Sequence, residues 1–299
     1  MKFMVFGAGA LGSVVAARLA EVHEVSIVGR QEHVDAVNDN GLVVSGHTEM
    51  VQKNIVAVTD LNELTGSIPD AVLLTVKAYD TAAAVESLAA FAHDTIFVSL
   101  QNGLGNEEVI AKRTAKVLGA VINQGATMLG PGEVFHAGSG EITIGPFAGT
   151  DELDAEAIAA ALAEAGFPAR AVADIGERIW AKAILNAAVN PISALLCKRT
   201  GELIASEPLV EAMRQVVEES VAIAAACGIT LETNAIMETI HTVAKATRDN
   251  KSSMYQDLEK GRRTEIEAIN GALIAHAKEH GLPCPANELL ARLVRAAEA

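Results

Sequence analysis

Lys182, Asn186 and Asn190 recur at intervals of four inside the otherwise apolar run 179–191. On an α-helix that spacing drifts by only about 40° per step, so the three side chains line one face. The surrounding residues predict a largely buried helix, and an ammonium and two carboxamides are costly to bury unless they bind something polar. A lysine can give a proton and stabilise negative charge developing on an oxygen, while asparagines orient a ligand without adding charge. An anionic substrate bearing a carbonyl would satisfy all three. The competing reading is a lysine that carries its charge to the surface on an apolar stem, beside asparagines that bond nearby backbone.

A second constellation is built from backbone. Gly7-Ala8-Gly9-Ala10-Leu11-Gly12 is G-x-G-x-x-G, placed after a short apolar run and before a helical pattern. In that context Gly7 permits a tight turn, Gly9 lets backbone approach a pyrophosphate, and Gly12 lets the helix pack close to the strand. The pyrophosphate would rest on the helix N-terminus, where free N–H groups and the dipole favour anions. The next strand ends Val28-Gly29-Arg30, and an arginine there suits the 2′-phosphate of NADP. Glu32 lies close by and could instead serve the ribose of NAD, so NADPH/NADP+ is expected rather than NADH. Lys77 and Asn102 each follow an apolar run, at the strand ends where α/β sheets bind ligands. A lysine there can bond ribose oxygens, and an asparagine the nicotinamide ribose or carboxamide. Taken singly, each could be an exposed charge or an ordinary Asn-Gly turn.

The elements that must hold these groups differ between the halves. Residues 2–6, 24–28, 71–76 and 95–100 read as strands, with helices over 11–21 and 81–91. Continuous apolar strands alternating with helices predict a doubly wound parallel sheet covered on both faces. Short strands are expected over 117–122, 132–136 and 141–144, then a helix over 151–165. From about residue 177 nearly every window has period 3.6, broken at Pro191, Gly201, Pro208, Gly228 and Gly281-Leu282-Pro283. Five to seven helices and no strand are expected there. The fold class is therefore α/β followed by an all-α domain, divided as residues 1–172 and 173–299.

Further polar residues lie in Asn250-Lys251-Ser252-Ser253 and at Glu265, which alone could be a cap and a helix-surface charge. Taken in order, Gly7 to Gly12, Leu73 to Ala78, Asn102-Gly103-Leu104-Gly105, Lys182 with Asn186 and Asn190-Pro191, Gly201-Glu202-Leu203, Ser252 to Asp257, and Thr264-Glu265-Ile266-Glu267 with Ile269-Asn270-Gly271 resemble the ketopantoate reductase family. The resemblance covers essentially the whole chain. It implies a Rossmann-type domain followed by a helical domain, and reduction of 2-dehydropantoate to (R)-pantoate with NADPH on the way to pantothenate and coenzyme A. By position it implies that Lys182 is the general acid, that Asn102 meets the cofactor near the nicotinamide, and that Asn186, Asn190 and Ser253 hold substrate. Glu265 would meet the substrate hydroxyl and the cofactor side. Thr200 stands where the family often has asparagine before Gly-Glu-Leu; it can still donate a hydrogen bond to substrate. The segment 123–132 also departs from the family pattern.

Composition excludes other classes. Lys and Arg number 23 against 38 Asp and Glu, giving a net charge of −15, the wrong sign for a nucleic-acid binder or an anionic membrane surface. Aromatic residues are 3 %, too few for stacking bases. Cys197, Cys227 and Cys284 are scattered, which argues against disulfides and a cysteine zinc site and for a cytoplasmic protein. No run of apolar residues reaches the ~20 needed to span a bilayer. His276-Ala277-Lys278-Glu279-His280 matches the H-x-x-E-H zinc signature, yet it falls in a charged last turn before Gly281, where histidines suit the helix dipole; no metal is expected. Two other readings remain: a dehydrogenase of another bulky 2-oxo acid giving a D-2-hydroxy acid with NADH, and a non-catalytic NADP-binding sensor. The sensor would not need the lysine–asparagine face. The expected partner is a small-molecule 2-oxo acid, bound by a monomer or homodimer.

Overall fold

Ten strands form one sheet in the computed structural model, which describes residues 1–64 and 68–298. In chain order the first part runs β1 (Lys2–Phe6), α1 (Ala10–Leu19), β2 (Glu24–Val28), α2 (Gln31–Asn40), β3 (Leu42–Gly46), β4 (Met50–Gln52), β5 (Ile55–Val58), β6 (Ala71–Leu74), α3 (Thr81–Ser87), β7 (Ile96–Ser99), α4 (Asn106–Ala111), β8 (Lys116–Gly130), β9 (Glu133–Ala148), α5 (Glu152–Glu164) and β10 (Ala169–Ala171). The sheet order is β4-β3-β9-β8-β7-β6-β1-β2-β5, with β10 beside β9. Strands β5, β2, β1, β6, β7 and β8 pair in parallel.

The continuous apolar runs have the reason expected for them. Phe3, Val5 and Leu73 pack in one core with Val14, Val15 and Leu19 of α1, while Met4, Val72 and Leu74 pack in another with Val85, Leu88 and Ile110. Successive residues of a strand point to opposite faces, so a sheet with helices on both faces needs apolar residues at every position.

Several details differ from the sequence reading. The expected short strands after residue 116 are one long antiparallel hairpin, β8–β9, whose register shifts at Ile122/Gln124, Gly125/Ala126 and Met128/Gly130. Gln124, Gly125 and Gly130 sit at these shifts, where the ladder tolerates an unpaired residue, while Pro131-Gly132 makes the hairpin turn. The run ending at Lys77 is strand only to Leu74. Residues 42–58, unassigned from the sequence, carry β3, β4 and β5, in which Val51 and Val56 are exposed.

Residues 1–101 with 106–175 form one compact unit; residues 102–105 group with Gly176 onward in a second. The second unit is helical among the described residues: α6 (Ile175–Leu195), α7 (Thr200–Ile204), α8 (Glu207–Ala226), α9 (Thr233–Ala246), α10 (Ser253–Glu259), α11 (Ala272–Glu279) and α12 (Pro285–Ala297). Neither Pro191 nor Gly201 breaks a helix. Pro191 lies inside α6 and Gly201 inside α7. Gly201 is placed for close approach: a Cβ there would meet the Arg248 Cβ at 2.7 Å.

Within the first unit, Glu107 of α4 is buried, and burial pushes its carboxyl up to about 7 against an opposing hydrogen bond from its own backbone.

Candidate active site

The glycine-rich turn shows three different environments for its three glycines. Gly7 has φ +104°, and a Cβ on it would lie 2.7 Å from the Val76 side chain. A Cβ on Gly12 would lie 2.5 Å from Thr75 Oγ1 and 2.6 Å from the Gly7 carbonyl oxygen, so this glycine is what lets α1 pack on the strands. A Cβ on Gly9 would meet nothing nearer than 3.9 Å, which leaves the backbone open to an incoming group. Gly7 and Ala8 both donate their N–H groups to the Val28 carbonyl at 3.0 Å, and Thr75 Oγ1 donates to the Gly7 carbonyl at 2.8 Å. Thr75 was invisible to motif reasoning; its only signal is a polar residue at a strand end. Gly9 caps α1, whose first turn holds no acidic residue to offset the helix's partial positive charge. Ala8, Ala10 and Leu11 complete the turn. A strand end, an open glycine and a bare helix N-terminus fit a dinucleotide pyrophosphate.

Arg30 lies two residues past β2, is exposed, and occupies the N-cap position of α2. Glu32 sits in the first turn of α2, where a carboxylate complements the helix dipole. Lys77 is half-buried and leads into a 3₁₀ turn over Ala78–Asp80.

In the second unit the face read from spacing exists. Lys182, Asn186 and Asn190 all lie on α6, with Asn190 buried and the other two half-buried. Surrounding protein lowers the Lys182 ammonium to about 8, and the charge of Glu265 opposes that by raising it. Glu265 is buried, not a surface charge, and its Oε2 accepts from Asn102 Nδ2 at 3.4 Å. Asn102 thus stands next to Glu265 although 163 residues separate them in sequence. Two backbone features hold it there: Leu104 N donates to the Ala268 carbonyl at 2.8 Å, and Gly103, at φ +91°, approaches that oxygen so closely that a Cβ would be 2.4 Å away.

Ser253 and Thr200 have different surroundings. Ser252 is the N-cap of α10, accepting from Tyr255 N at 3.1 Å, and leaves Ser253 exposed as the first helical residue. Thr200 is buried, and its Oγ1 donates to the Thr247 carbonyl at 2.5 Å, while Thr200 N donates to the Asn250 carbonyl at 3.1 Å. The geometry uses Thr200 to hold the segment 247–250 that leads to Ser253. His276 Nδ1 lies 3.5 Å from Glu279 Oε2 and its ring packs on Trp180 with centroids 5.2 Å apart, while His280 Nε2 lies 3.6 Å from Cys227 Sγ. Among the described residues no group of three or more His, Cys, Asp or Glu is arranged to hold a metal ion. Nor is any helix there long and apolar enough to cross a membrane.

Residues 3–149 match the family model described as ketopantoate reductase PanE/ApbA, and residues 174–298 its C-terminal counterpart. The chain is 41% identical over 301 residues to 2-dehydropantoate 2-reductase of Archaeoglobus fulgidus, covering 99% of this chain and 98% of the relative. It is 37% identical to the enzyme of the same name from Pyrococcus horikoshii, covering 100% and 98%. Among solved structures, a PanE/ApbA family ketopantoate reductase from Ralstonia eutropha superposes with TM-score 0.90 at 34% identity, covering 100% of this chain and 98% of that one. D-mandelate dehydrogenase with NADH and anilino(oxo)acetate superposes with TM-score 0.93 at 28% identity over 100% of this chain and 98% of that one.

Proposed function

Because the chain belongs to the ketopantoate reductase family, a family of nicotinamide-nucleotide-dependent reductases of 2-oxo acids, we propose that it reduces 2-dehydropantoate to (R)-pantoate with NADPH. The reaction is a step toward pantothenate and coenzyme A. The observation that carries the proposal is Lys182, an ammonium lowered to about 8 on the same helical face as two asparagines and under the charge of Glu265.

When bound, the nucleotide supplies a hydride to the keto carbon. The chain's own residues do the rest. Gly7 to Gly12 and the N-terminus of α1 hold the pyrophosphate, Arg30 meets the 2′-phosphate, and Lys77 meets ribose oxygens. Asn102, fixed by Gly103 and Leu104, bonds the nicotinamide side. Lys182 bonds the keto oxygen, balances the negative charge developing there and gives it a proton. A value near 8 suits that task, since the group is protonated at neutral pH yet gives its proton more easily than an exposed lysine at about 10.4. Asn186, Asn190 and Ser253 hold the carboxylate and hydroxyl of the substrate, and Thr200 acts through the 247–250 segment. Glu265 keeps Lys182 charged and accepts from the product hydroxyl. The working form is a cytoplasmic monomer or homodimer acting on small molecules rather than on nucleic acid or a membrane.

The D-mandelate dehydrogenase likeness supports a second reading, a D-2-hydroxy-acid dehydrogenase acting with NADH. Cofactor oxidation measured with 2-dehydropantoate and with an aryl 2-oxo acid, each with NADPH and NADH, separates them. The first reading expects the highest kcat/KM for 2-dehydropantoate with NADPH. Preference for the aryl acid with NADH would replace it by the second, and tight NADPH binding with no turnover on any 2-oxo acid would leave a nucleotide sensor.

A further inference from the structure

A proline inside a helix removes one backbone donor and leaves the carbonyl four residues earlier without its helical partner. In α6 the proline is Pro191, so the freed carbonyl is that of Ala187. Asn270 Nδ2 donates to this carbonyl at 3.2 Å. The same nitrogen donates to Asn287 Oδ1 at 3.0 Å. Asn287 Nδ2 in turn donates to Glu219 Oε2 at 2.9 Å, and Glu219 also accepts from the backbone N–H groups of Ala286 and Asn287 at the start of α12. Asn270 and Asn287 are fully buried. A buried polar chain therefore runs from α8 and α12 to the α6 carbonyl that Pro191 frees.

Asn270 sits in an unusual turn. Residues Glu267–Gly271 form a π-turn, with Gly271 N donating to the Ile266 carbonyl at 2.9 Å. Glu265 stands five residues before Asn270, its carbonyl accepting from Ala268 N and Ile269 N, both at 3.1 Å. Both then face α6: Glu265 acts on Lys182, and Asn270 bonds Ala187, five residues further along the same helix. Helix α12 grips this turn at a second point, where Arg295 donates from Nε and Nη2 to the two oxygens of Glu267 at 2.6 and 2.8 Å.

We propose that Asn270 is a positioning residue for the reduction: by bonding the carbonyl that Pro191 frees, it fixes the Glu265 turn against the Lys182–Asn190 face of α6. The segment 265–270 carries both contacts to α6. The inference rests on the reading of Lys182 and Glu265 given above.

The test uses the full chain and compares wild type, Asn270→Ala, Pro191→Ala and the double variant. Replacing Pro191 by alanine returns an N–H to α6, so Ala187 no longer needs Asn270. Asn270→Ala is expected to lower kcat for 2-dehydropantoate on the order of 10- to 100-fold, the scale of a misplacement of about 1 Å, and to move the alkaline limb of the pH profile. NADPH affinity should stay within about twofold, since no nucleotide contact is altered. In the Pro191→Ala background the same substitution should cost less. Should Asn270→Ala not fold, Asn270→Ser, which keeps one donor in a smaller space, is expected to show a milder loss with the same dependence on Pro191. A lowered Tm with unchanged kcat and pH profile would make Asn270 merely structural and overturn the proposal. An equal effect with and without Pro191 would overturn the link through Ala187. Absence of wild-type turnover would instead indict the underlying functional reading.

Discussion

The two units arrange for chemistry in opposite ways. The first builds its proposed nucleotide cradle from backbone: Gly7 is a conformation, Gly9 an opening and Gly12 a close contact, and no side chain of theirs takes part. The second builds its proposed acid site from side chains brought together from residues 102, 182 and 265, and tunes Lys182 by burial and charge. A backbone site fails by steric intrusion, whereas a side-chain site fails by loss of a charge or a shift in pKa. The variants that test the comparison should separate these two modes of failure.

The largest effect is expected from Lys182→Ala. Removing a general acid costs typically 10²- to 10⁴-fold in turnover, while nothing in the glycine turn changes. Steady-state kinetics with 2-dehydropantoate should show a kcat lowered by at least about 100-fold, and a fluorescence titration should give a Kd for NADPH within about twofold of the parent. Turnover equal to the parent would remove Lys182 from the mechanism.

Burial of a titratable group has the reverse meaning in the first unit. Glu107 is held up at about 7 in the folded chain, so the folded state keeps a proton that the unfolded state releases near its ordinary value of 4.5. Stability from this group is fully present below 4.5 and is lost as pH rises through about 7. Above that window the buried carboxylate costs on the order of 3 kcal/mol. Glu107→Gln cannot ionise and should be more stable than the parent at pH 8 by up to about that amount, with little difference at pH 4. Parallel Tm curves for the two proteins across this range would refute the assignment.

The glycine turn permits a finer division, because its sites differ in what a methyl group would strike. Gly12→Ala drives a Cβ into Thr75 Oγ1 and the Gly7 carbonyl, so it should lower stability by about 1–3 kcal/mol in thermal or urea unfolding. Gly9→Ala meets no protein atom within 3.9 Å and should unfold at nearly the parent's temperature. Its NADPH affinity should nevertheless fall on the order of tenfold or more, about 1.4 kcal/mol, since the methyl occupies the pyrophosphate approach. Full NADPH affinity in Gly9→Ala would mean that the nucleotide does not approach there.

Legibility in the sequence follows the same division. A backbone site is local: three glycines within six residues, between an apolar run and a helix, carry their meaning in their spacing, and β1, β2 and α1 lie where the pattern places them. Lys182, Asn186 and Asn190 were legible for the same reason, because helical periodicity is local. Glu265 was not. Its partner Asn102 is distant in sequence, so only the ordered resemblance to a family singled it out. Pro191 misled because helix propensity counts the missing N–H as a break, and the donor that replaces it comes from Asn270, 79 residues away in the chain. The long hairpin was hidden likewise, since glycines that suit bulges also suit turns.

Glu265→Gln gives the smallest expected effect and bears most directly on how the second site works. The charge of Glu265 raises Lys182 while burial lowers it, and the balance lies at about 8. For the reduction the lysine must be protonated, so kcat/KM should be level below about 8 and fall as pH rises beyond it. Glutamine preserves the shape and the contact with Asn102 Nδ2 but removes the charge, leaving burial unopposed. The alkaline limb should therefore move to lower pH, and activity at pH 6 should suffer less than activity at pH 8. The oxidation of pantoate, which needs the lysine deprotonated, should shift its rising limb the same way. Gly9→Ala supplies the control: it weakens nucleotide binding at every pH and leaves the limb where it was, because no titrating group lies in a site made of backbone. A limb that Glu265→Gln does not move would mean that some group other than Lys182 supplies the proton.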